Sequence, residues 1–292
     1  MKTAALFLIF NRPDTTKQVF EAIRKAKPPR LYVAADGPRA DKAGEAEKVE
    51  QVRQIATQVD WDCEVKTLFR DKNLGCGKGV SSAIDWFFEN EEEGIILEDD
   101  CLPSQSFFWF CEELLERYRG DMRVMIISGY NKQEMWNQDK YDYFFSNFGG
   151  IWGWASWKRA WDLYDLEMKD LESFIENNYF EFLLGESLGN VRKKQMLNVI
   201  QNNIDTWDYQ WGFTRHVNSG LACVPSKNLV ENIGFGADAT HTIANQKTIN
   251  RHDLNFPVKY NEFIVSDKKY DELFLNPNNK LSIKRLFKWR QK

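Results

Sequence analysis

The chain has 292 residues, of which 43% are hydrophobic and 28% charged, a composition typical of a globular protein with one large domain or two closely joined ones. The net charge of −4 argues against a nucleic-acid-binding surface over the whole chain. The five cysteines have neither a CxxC nor a metal-ligand spacing, which favours free thiols in a reducing compartment. Because residues 4–10 are too short for a signal peptide and no run reaches roughly 18 apolar residues, we predict a cytoplasmic protein.

Residues 1–130 alternate strand-like and helix-like hydrophobic patterns. We predict strands at 4–10, 31–35, 64–69, 94–97 and 124–127, and helices from 13, at 42–58, at 79–89 and from 104 or 106 to 118. Strands separated by helices predict an α/β fold, with a mostly parallel, Rossmann-like sheet flanked by helices. Ligands of such sheets bind at the carboxyl ends of the strands. Three polar segments directly follow predicted strands at that edge, and we call them the polar exits: Asn11-Arg12, Asp36-Gly37 and Glu98-Asp99-Asp100.

The alternation ends after residue 130. Residues 144–161 are dense in Gly and Trp, two or three helices are predicted to about residue 204, and a strand is predicted at 221–224. The final residues, 280–292, are basic with interleaved apolar side chains. As a helix this tail could lie on an anionic membrane surface or pack on the body of the protein, and the sequence leaves both open.

The acidic triplet Glu98-Asp99-Asp100 directly follows a short buried strand. Three adjacent carboxylates repel one another, and a chain accepts that cost at a strand end mainly when a cation neutralises it. Hard oxygen ligands favour Mg²⁺ or Mn²⁺, which also bind diphosphate oxygens. The alternative is a solvated acidic turn, but the buried strand before the triplet and the apolar helix after it favour a metal site.

Other polar residues at the same edge have weaker signals. Asp36 could accept a hydrogen bond from a uracil imide or a ribose hydroxyl, although an Asp before Gly is equally common in turns. Arg12 could contact phosphate or base, or be an exposed loop cation. The Gly-rich stretch 73–79, which includes Asn73 and Lys78, approaches a helix N-terminus suited to a diphosphate or a base. It matches neither a Walker A motif nor a GxGxxG motif.

The triplet and its surroundings resemble the metal-binding segment of the N-acetylglucosaminyltransferase I family, in which Glu-Asp-Asp replaces the commoner Asp-x-Asp. Enzymes of that family are inverting and have a single nucleotide-binding fold of the GT-A type. The matching residues are Ile95-Ile96-Leu97-Glu98-Asp99-Asp100, Pro103 and Phe107-Phe108.

Four further segments resemble the same family. Residues 10–12 and 35–37 are similar to its nucleotide-binding loops, residues 149–154 to its Gly-Trp acceptor-side segment, and residues 207–211 to the segment with its catalytic base. The chain is also similar to bacterial family-2-like transferases of surface polysaccharides.

The resemblance implies a role for each matched residue. Asp208 would be the general base, with Asp205 as its rival, and Asp100 would ligate Mn²⁺ or Mg²⁺. His241 would lie in a polar loop over the diphosphate. The donor-binding residues would be Asn11, Arg12, Asp36, Asn73, Lys78, Glu98, Asp99, Trp154 and His241.

These residues predict an inverting, metal-dependent glycosyltransferase. It would move a sugar from a nucleotide-sugar, a UDP-sugar by resemblance, to a hydroxyl of a glycan or glycolipid in bacterial surface polysaccharide or glycoconjugate synthesis, with no nucleic-acid partner. Residues 1–130 would bind the nucleotide-sugar, residues 131–279 would form the acceptor-binding and catalytic extension of the same GT-A domain, and residues 280–292 would be a basic amphipathic tail.

Two alternatives stay open. A sugar nucleotidyltransferase uses a similar sheet but has a basic, Gly-rich loop after its first strand, where this chain has Asn11-Arg12-Pro13-Asp14. A non-catalytic carbohydrate- or membrane-binding protein would account for the 11 tryptophans and the basic tail, but not for the acidic triplet together with Asp208.

Overall fold

A computed structural model describes residues 1–137, 139–234 and 249–276. Its strands are β1 (Ala5–Ile9), β2 (Arg30–Ala35), β3 (Glu64–Phe69), β4 (Glu93–Glu98), β5 (Cys101–Pro103), β6 (Val124–Ser128), β7 (Tyr143–Ser146), β8 (Trp154–Trp157), β9 (Leu221–Pro225) and β10 (Val230–Asn232). Its helices are α1 (Pro13–Ala26), α2 (Glu45–Ala56), α3 (Gly75–Asn90), α4 (Gln105–Tyr118), α5 (Lys158–Trp161), α6 (Leu171–Glu176), α7 (Tyr179–Leu184), α8 (Glu186–Gln201), α9 (Asp208–Val217) and α10 (Lys268–Leu275).

The main sheet has the strand order β3-β2-β1-β4-β8-β6-β9-β7. β1 pairs in parallel with β2 and β4, β2 with β3, and β6 with β9, whereas β8 is antiparallel between β4 and β6. Strands from before and after residue 130 therefore belong to one sheet, in which β6 lies between β8 and β9. The predicted α/β fold with a mostly parallel, helix-flanked sheet is confirmed.

Helices cover both faces of this sheet. β1 and β6 are buried along their whole length, which explains why they read as unbroken apolar runs. On one face, Phe7 and Leu97 pack with residues of α1, α2 and α4. On the other face, Leu6 and Ile96 pack with residues of α3, α5 and α9. Polar side chains therefore meet at the carboxyl ends of the central strands.

The short helices of the second half form a further apolar cluster with the end of α9. Phe180 of α7 and Met196 of α8 are fully buried there against Phe213 of α9. This packing brings α7 and α8 together with the end of α9.

Four tryptophans form a cluster beneath the sheet. Trp154 of β8 is fully buried and stacks on Trp207 with ring centroids 5.7 Å apart, and Trp161 and Trp211 lie within 6.1 Å of its ring. Aromatic contacts of this kind contribute stability beyond the area that they bury. The high tryptophan content thus serves the core at these positions.

Within the three described ranges, no helix combines the length and the apolar character that crossing a bilayer requires. The tail at 280–292 lies outside the described residues, so its membrane contact stays a prediction.

Replacing Trp154 should therefore cost stability. We expect Trp154→Ala to lower the free energy of unfolding by about 3–5 kcal/mol, since it removes a fully buried ring from a packed cluster. Trp109→Ala is the matched control, because Trp109 is 44% exposed on α4, and its loss should be clearly smaller. Denaturant titration measures both. Equal losses in the two variants would contradict this account of the cluster.

Candidate active site at the carboxyl edge of the sheet

The strand register brings the three polar exits to one edge. Ile9 pairs with Ala35 at the end of β2, and Leu8 pairs with Glu98 at the end of β4. Because these strands are neighbours and run in the same direction, the residues after them lie side by side. Residues 10–12, 36 and 98–100 therefore surround one point of the sheet edge.

Asp99 and Asp100 bind the loop after β1. The Asp99 carboxylate accepts a hydrogen bond from the backbone N–H of Phe10 at 3.0 Å, and the Arg12 guanidinium forms an ion pair with Asp100 at 2.6 Å. Burial, and then the neighbouring charge of Asp100, raise the pKa of Asp99 to about 7. Arg12 thus balances only part of the negative charge at this edge.

Glu98 lies at the centre of that negative charge. Burial raises its pKa well above the ordinary value, and the carboxylates of Asp100, Asp99 and Asp208 raise it further. Its Oε1 atom is buried and has no hydrogen-bond partner among the residues that the structure describes. A cation near this point would satisfy that atom and offset the repulsion.

The carboxylates fit Mg²⁺ or Mn²⁺ only as a site completed by other ligands. In the described part of the chain, no group of three or more His, Cys, Asp or Glu side chains is placed to hold a metal ion. Mg²⁺, however, commonly binds one or two carboxylates together with substrate phosphates and water. Asp100, with its hard oxygen atoms and the buried Glu98 oxygen nearby, suits that arrangement.

The chain returns to Asp100 at the end of β10. The N–H of Ile233 donates to the backbone carbonyl of Asp100 at 2.8 Å, and any side chain at Gly234 would collide with the Asp100 carboxylate. Only glycine allows so close an approach. His241 lies outside the described residues, so its predicted role over the diphosphate is untested.

Asp36 faces the loop before α3. Its carboxylate accepts from the backbone N–H groups of Leu74 at 2.8 Å and Gly75 at 3.2 Å. Asn73 belongs to the same turn and donates to the carbonyl of Gly37 at 2.9 Å. In this structure both residues bind backbone groups of the protein itself, and their donor contacts stay a prediction.

Asp205 caps α3 from the second half of the chain. Its two carboxylate oxygens accept from the N–H groups of Cys76 and Gly77, both at 2.8 Å. These N–H groups of the Gly-rich stretch are satisfied by Asp205 in this structure, and diphosphate binding there stays a prediction. Lys78 remains exposed on the first turn of the helix, while Asn11 donates to Glu45 at 2.9 Å.

Asp208 is the first residue of α9 and is partly exposed. Its carboxylate accepts a hydrogen bond from the Thr206 hydroxyl and lines a cavity of about 270 Å³. Asp208 also lies near enough to Glu98 to raise the pKa of that residue. It thus stands between the acidic edge and the cavity, a position that Asp205 does not share.

Trp154 does not reach this site. Its side chain has no exposed surface, which contradicts the predicted donor contact; it points into the core because β8 is covered on both faces. Trp152, two residues earlier, lines the cavity and packs against Tyr130 with centroids 4.5 Å apart. Within residues 149–154, the tryptophan that lines the cavity is thus Trp152 and not Trp154.

The sequence also gave no sign of three cations in the same cavity. Lys132, Arg192 and Arg215 come from the loop after β6, from α8 and from α9, and all three line it. They are far apart in sequence and belong to no motif, so only the tertiary structure shows that they line one cavity.

No family model matches the chain, and no curated protein sequence matches it either. Solved structures with a similar course of the chain include HddC from Yersinia pseudotuberculosis, with 9% identity, a TM-score of 0.33 and coverage of 54% of this chain and 77% of that one. Others are apo UDP-glucose pyrophosphorylase (8% identity, TM-score 0.40, coverage 80% and 93%) and its complex with UDP-glucose (9%, 0.40, 80% and 94%). At these scores the likeness concerns the general fold alone.

Replacing Asp205 and replacing Asp208 should lower the stability of the protein by different amounts. We expect Asp205→Ala to lower the free energy of unfolding by about 0.5–2 kcal/mol, since it removes the cap of α3. Asp208→Ala should cost less, because among the described residues Asp208 accepts a single local side-chain bond, from Thr206. Denaturant titration of both variants tests this, and a larger loss in Asp208→Ala would contradict it.

Proposed function

We propose that this chain is an inverting glycosyltransferase that uses a nucleotide-sugar and a divalent cation. The observation that supports it best is the position of Asp208 between the acidic edge, where it acts on Glu98, and a separate cavity that it lines. A donor bound at the edge and an acceptor bound in the cavity would meet at this carboxylate.

On the donor side, a Mg²⁺ or Mn²⁺ ion held by Asp100 would supply positive charge for the departing nucleoside diphosphate. Arg12, paired with Asp100, adds charge at the same place. Glu98 and Asp99 would orient ribose or water around the ion. Asp36 and Asn73 would hold the loop before α3 in position for the donor, since their side chains form hydrogen bonds with the backbone of Leu74, Gly75 and Gly37.

On the acceptor side, Asp208 would be the general base. The acceptor hydroxyl oxygen would form a bond to the anomeric carbon while the bond to the diphosphate oxygen breaks, and the hydroxyl proton would pass to the Asp208 carboxylate. A single displacement of this kind inverts the anomeric configuration. The acceptor would be a glycan or glycolipid hydroxyl, with Trp152 and Tyr130 as packing surfaces for the sugar.

The second candidate is a sugar nucleotidyltransferase, the class of enzyme that the name UDP-glucose pyrophosphorylase denotes in two of the similar structures. Product analysis separates the two functions. Incubation of UDP-glucose with pyrophosphate would give UTP and glucose 1-phosphate in nucleotidyl transfer. Glycosyl transfer or slow donor hydrolysis would instead release a nucleoside diphosphate from one member of a panel of nucleotide-sugars.

The base can be tested with a matched pair of variants. Asp208→Asn should lower turnover by roughly 10²–10⁴, the usual contribution of a general base, while donor binding persists. Asp205→Asn should keep turnover within a few-fold, because that carboxylate caps α3. Nucleoside diphosphate release and donor binding are measured for both. Near-normal turnover in Asp208→Asn, or loss of its donor binding, would show that another residue is the base.

The cation can be tested by removal. We expect EDTA to abolish nucleoside diphosphate release and Mn²⁺ or Mg²⁺ to restore it. Asp100→Asn should weaken metal-dependent diphosphate binding without unfolding the protein, whereas Asp165→Asn, in a turn after α5, should behave as the wild type. Calorimetry with UDP, with and without Mn²⁺, measures this. Full activity in excess EDTA would overturn the proposal.

A further inference from the structure

The cavity beyond Asp208 is positively charged. Of the described residues that line it, Lys132, Arg192 and Arg215 are cations and Asp208 is the carboxylate. The cations therefore exceed the anions by two. Such an excess inside a concave site favours a negatively charged occupant.

The two arginines are buried and incompletely paired. Arg192 and Arg215 are only 8% and 3% exposed, and the Nε atom of each has no hydrogen-bond partner in the part of the chain that the structure describes. Arg192 donates through Nη1 to Gln195 at 3.1 Å, and Arg215 reaches the carbonyl of Asn147 only at 3.5 Å. Neither of these partners carries a negative charge.

Two nearby carboxylates act on these charges, Asp208 on Arg192 and Asp271 on Arg215, but neither accepts a hydrogen bond from an arginine among the described residues. Asp271 acts on Arg215 but accepts hydrogen bonds from Ser146 and from the side chain of Asn147, at 2.5 and 2.8 Å. Burial lowers the pKa of Arg192 to about 10. Burial and then repulsion by Arg192 lower the pKa of Arg215 to about 9, so both guanidinium groups stay charged at neutral pH.

Burying charge without a partner is costly, and folded proteins keep it mainly where a ligand or function requires it. Guanidinium groups bind carboxylates and phosphates with strong, directional hydrogen bonds. The volume of about 270 Å³ is near the lower end for ligand sites, which suits one monosaccharide unit or one acidic substituent.

We propose that this cavity binds an anionic group, a carboxylate or a phosphate, and that Arg192 and Arg215 are its specificity-determining residues. This inference rests on the proposed function, and it means that the acceptor is an acidic sugar or a sugar phosphate. Its hydroxyl lies at Asp208, its anionic group lies at the two guanidinium groups, and Lys132 adds positive charge to the lining. The donor phosphates occupy the separate edge near Arg12 and Asp100.

Matched probes test the site directly. Glucuronate, glucose 1-phosphate and glucose differ in the anionic group that each carries or lacks. We expect at least one anionic probe to bind the wild-type protein in calorimetry, without added metal or nucleotide, and glucose to bind at least tenfold more weakly. The better of the two anionic probes identifies the group as carboxylate or phosphate. Equal binding of all three, or binding of none at millimolar concentration, would overturn the proposal.

Variants locate the site. Arg192→Gln and Arg215→Gln should each weaken the anionic probe roughly tenfold to a hundredfold, the range for a lost charge-assisted hydrogen bond. Arg12→Gln removes a cation of the donor edge and is the control, so its binding should match the wild type. Loss in Arg12→Gln with retention in Arg215→Gln would assign the anion to the donor edge and reject the cavity. If either cavity variant does not fold, the wild-type probe comparison still decides.

The proposed function is tested separately by nucleoside diphosphate release. Arg215→Gln should still hydrolyse a donor slowly, because Arg215 does not contact the acidic edge, but should lose the stimulation that an acidic acceptor gives. If anionic probes bind but the protein acts on no nucleotide-sugar, glycosyl transfer is rejected and the anion site is retained. If the protein transfers sugar to neutral acceptors only, the anion site is rejected and glycosyl transfer is retained.

Discussion

Repulsion among carboxylates at the end of β4 is the constraint on which the rest of this site depends. The register of β1 against β4 places the residues that follow Leu97 beside the loop after β1, so that Glu98, Asp99 and Asp100 cannot move apart. The ion pair with Arg12 and the hydrogen bond from Phe10 stabilise two of these side chains. Glu98 keeps a buried oxygen without a partner among the described residues, and this is where a cation would act.

The remaining charges of the site are arranged around that constraint. Asp36 and Asp205 both turn toward backbone N–H groups at the start of α3, where a helix N-terminus stabilises negative charge. On the other side of Asp208, Arg192 and Arg215 stay separated from the acidic edge. An acidic surface and a basic cavity thus adjoin each other without neutralising each other, because both are held by packed helices and strands.

The sequence predicted the main strands and helices of the first half well, since β1, β2, β4 and β6 are buried apolar runs, β3 alternates between polar and apolar residues, and each helix has an apolar stripe. It missed β7 and β8, because four-residue strands among Gly and Trp have no readable period. The acidic edge was predictable from adjacency in sequence, whereas the cationic cavity was not, since its residues meet only through tertiary packing. The donor role that the resemblance implied for Trp154 does not fit its position, because a sequence motif does not show whether a tryptophan side chain points into the core, as that of Trp154 does.

The glycines before α3 illustrate how a motif can be functional for a reason other than the obvious one. Gly75 has φ +82°, and side chains at Gly75 or Gly77 would collide with the Asp205 carboxylate. The glycines are thus needed for a contact between the two halves of the chain. The Gly-rich loop, predicted from the sequence to suit a diphosphate or a base, therefore joins the two halves of the chain through the carboxylate of Asp205.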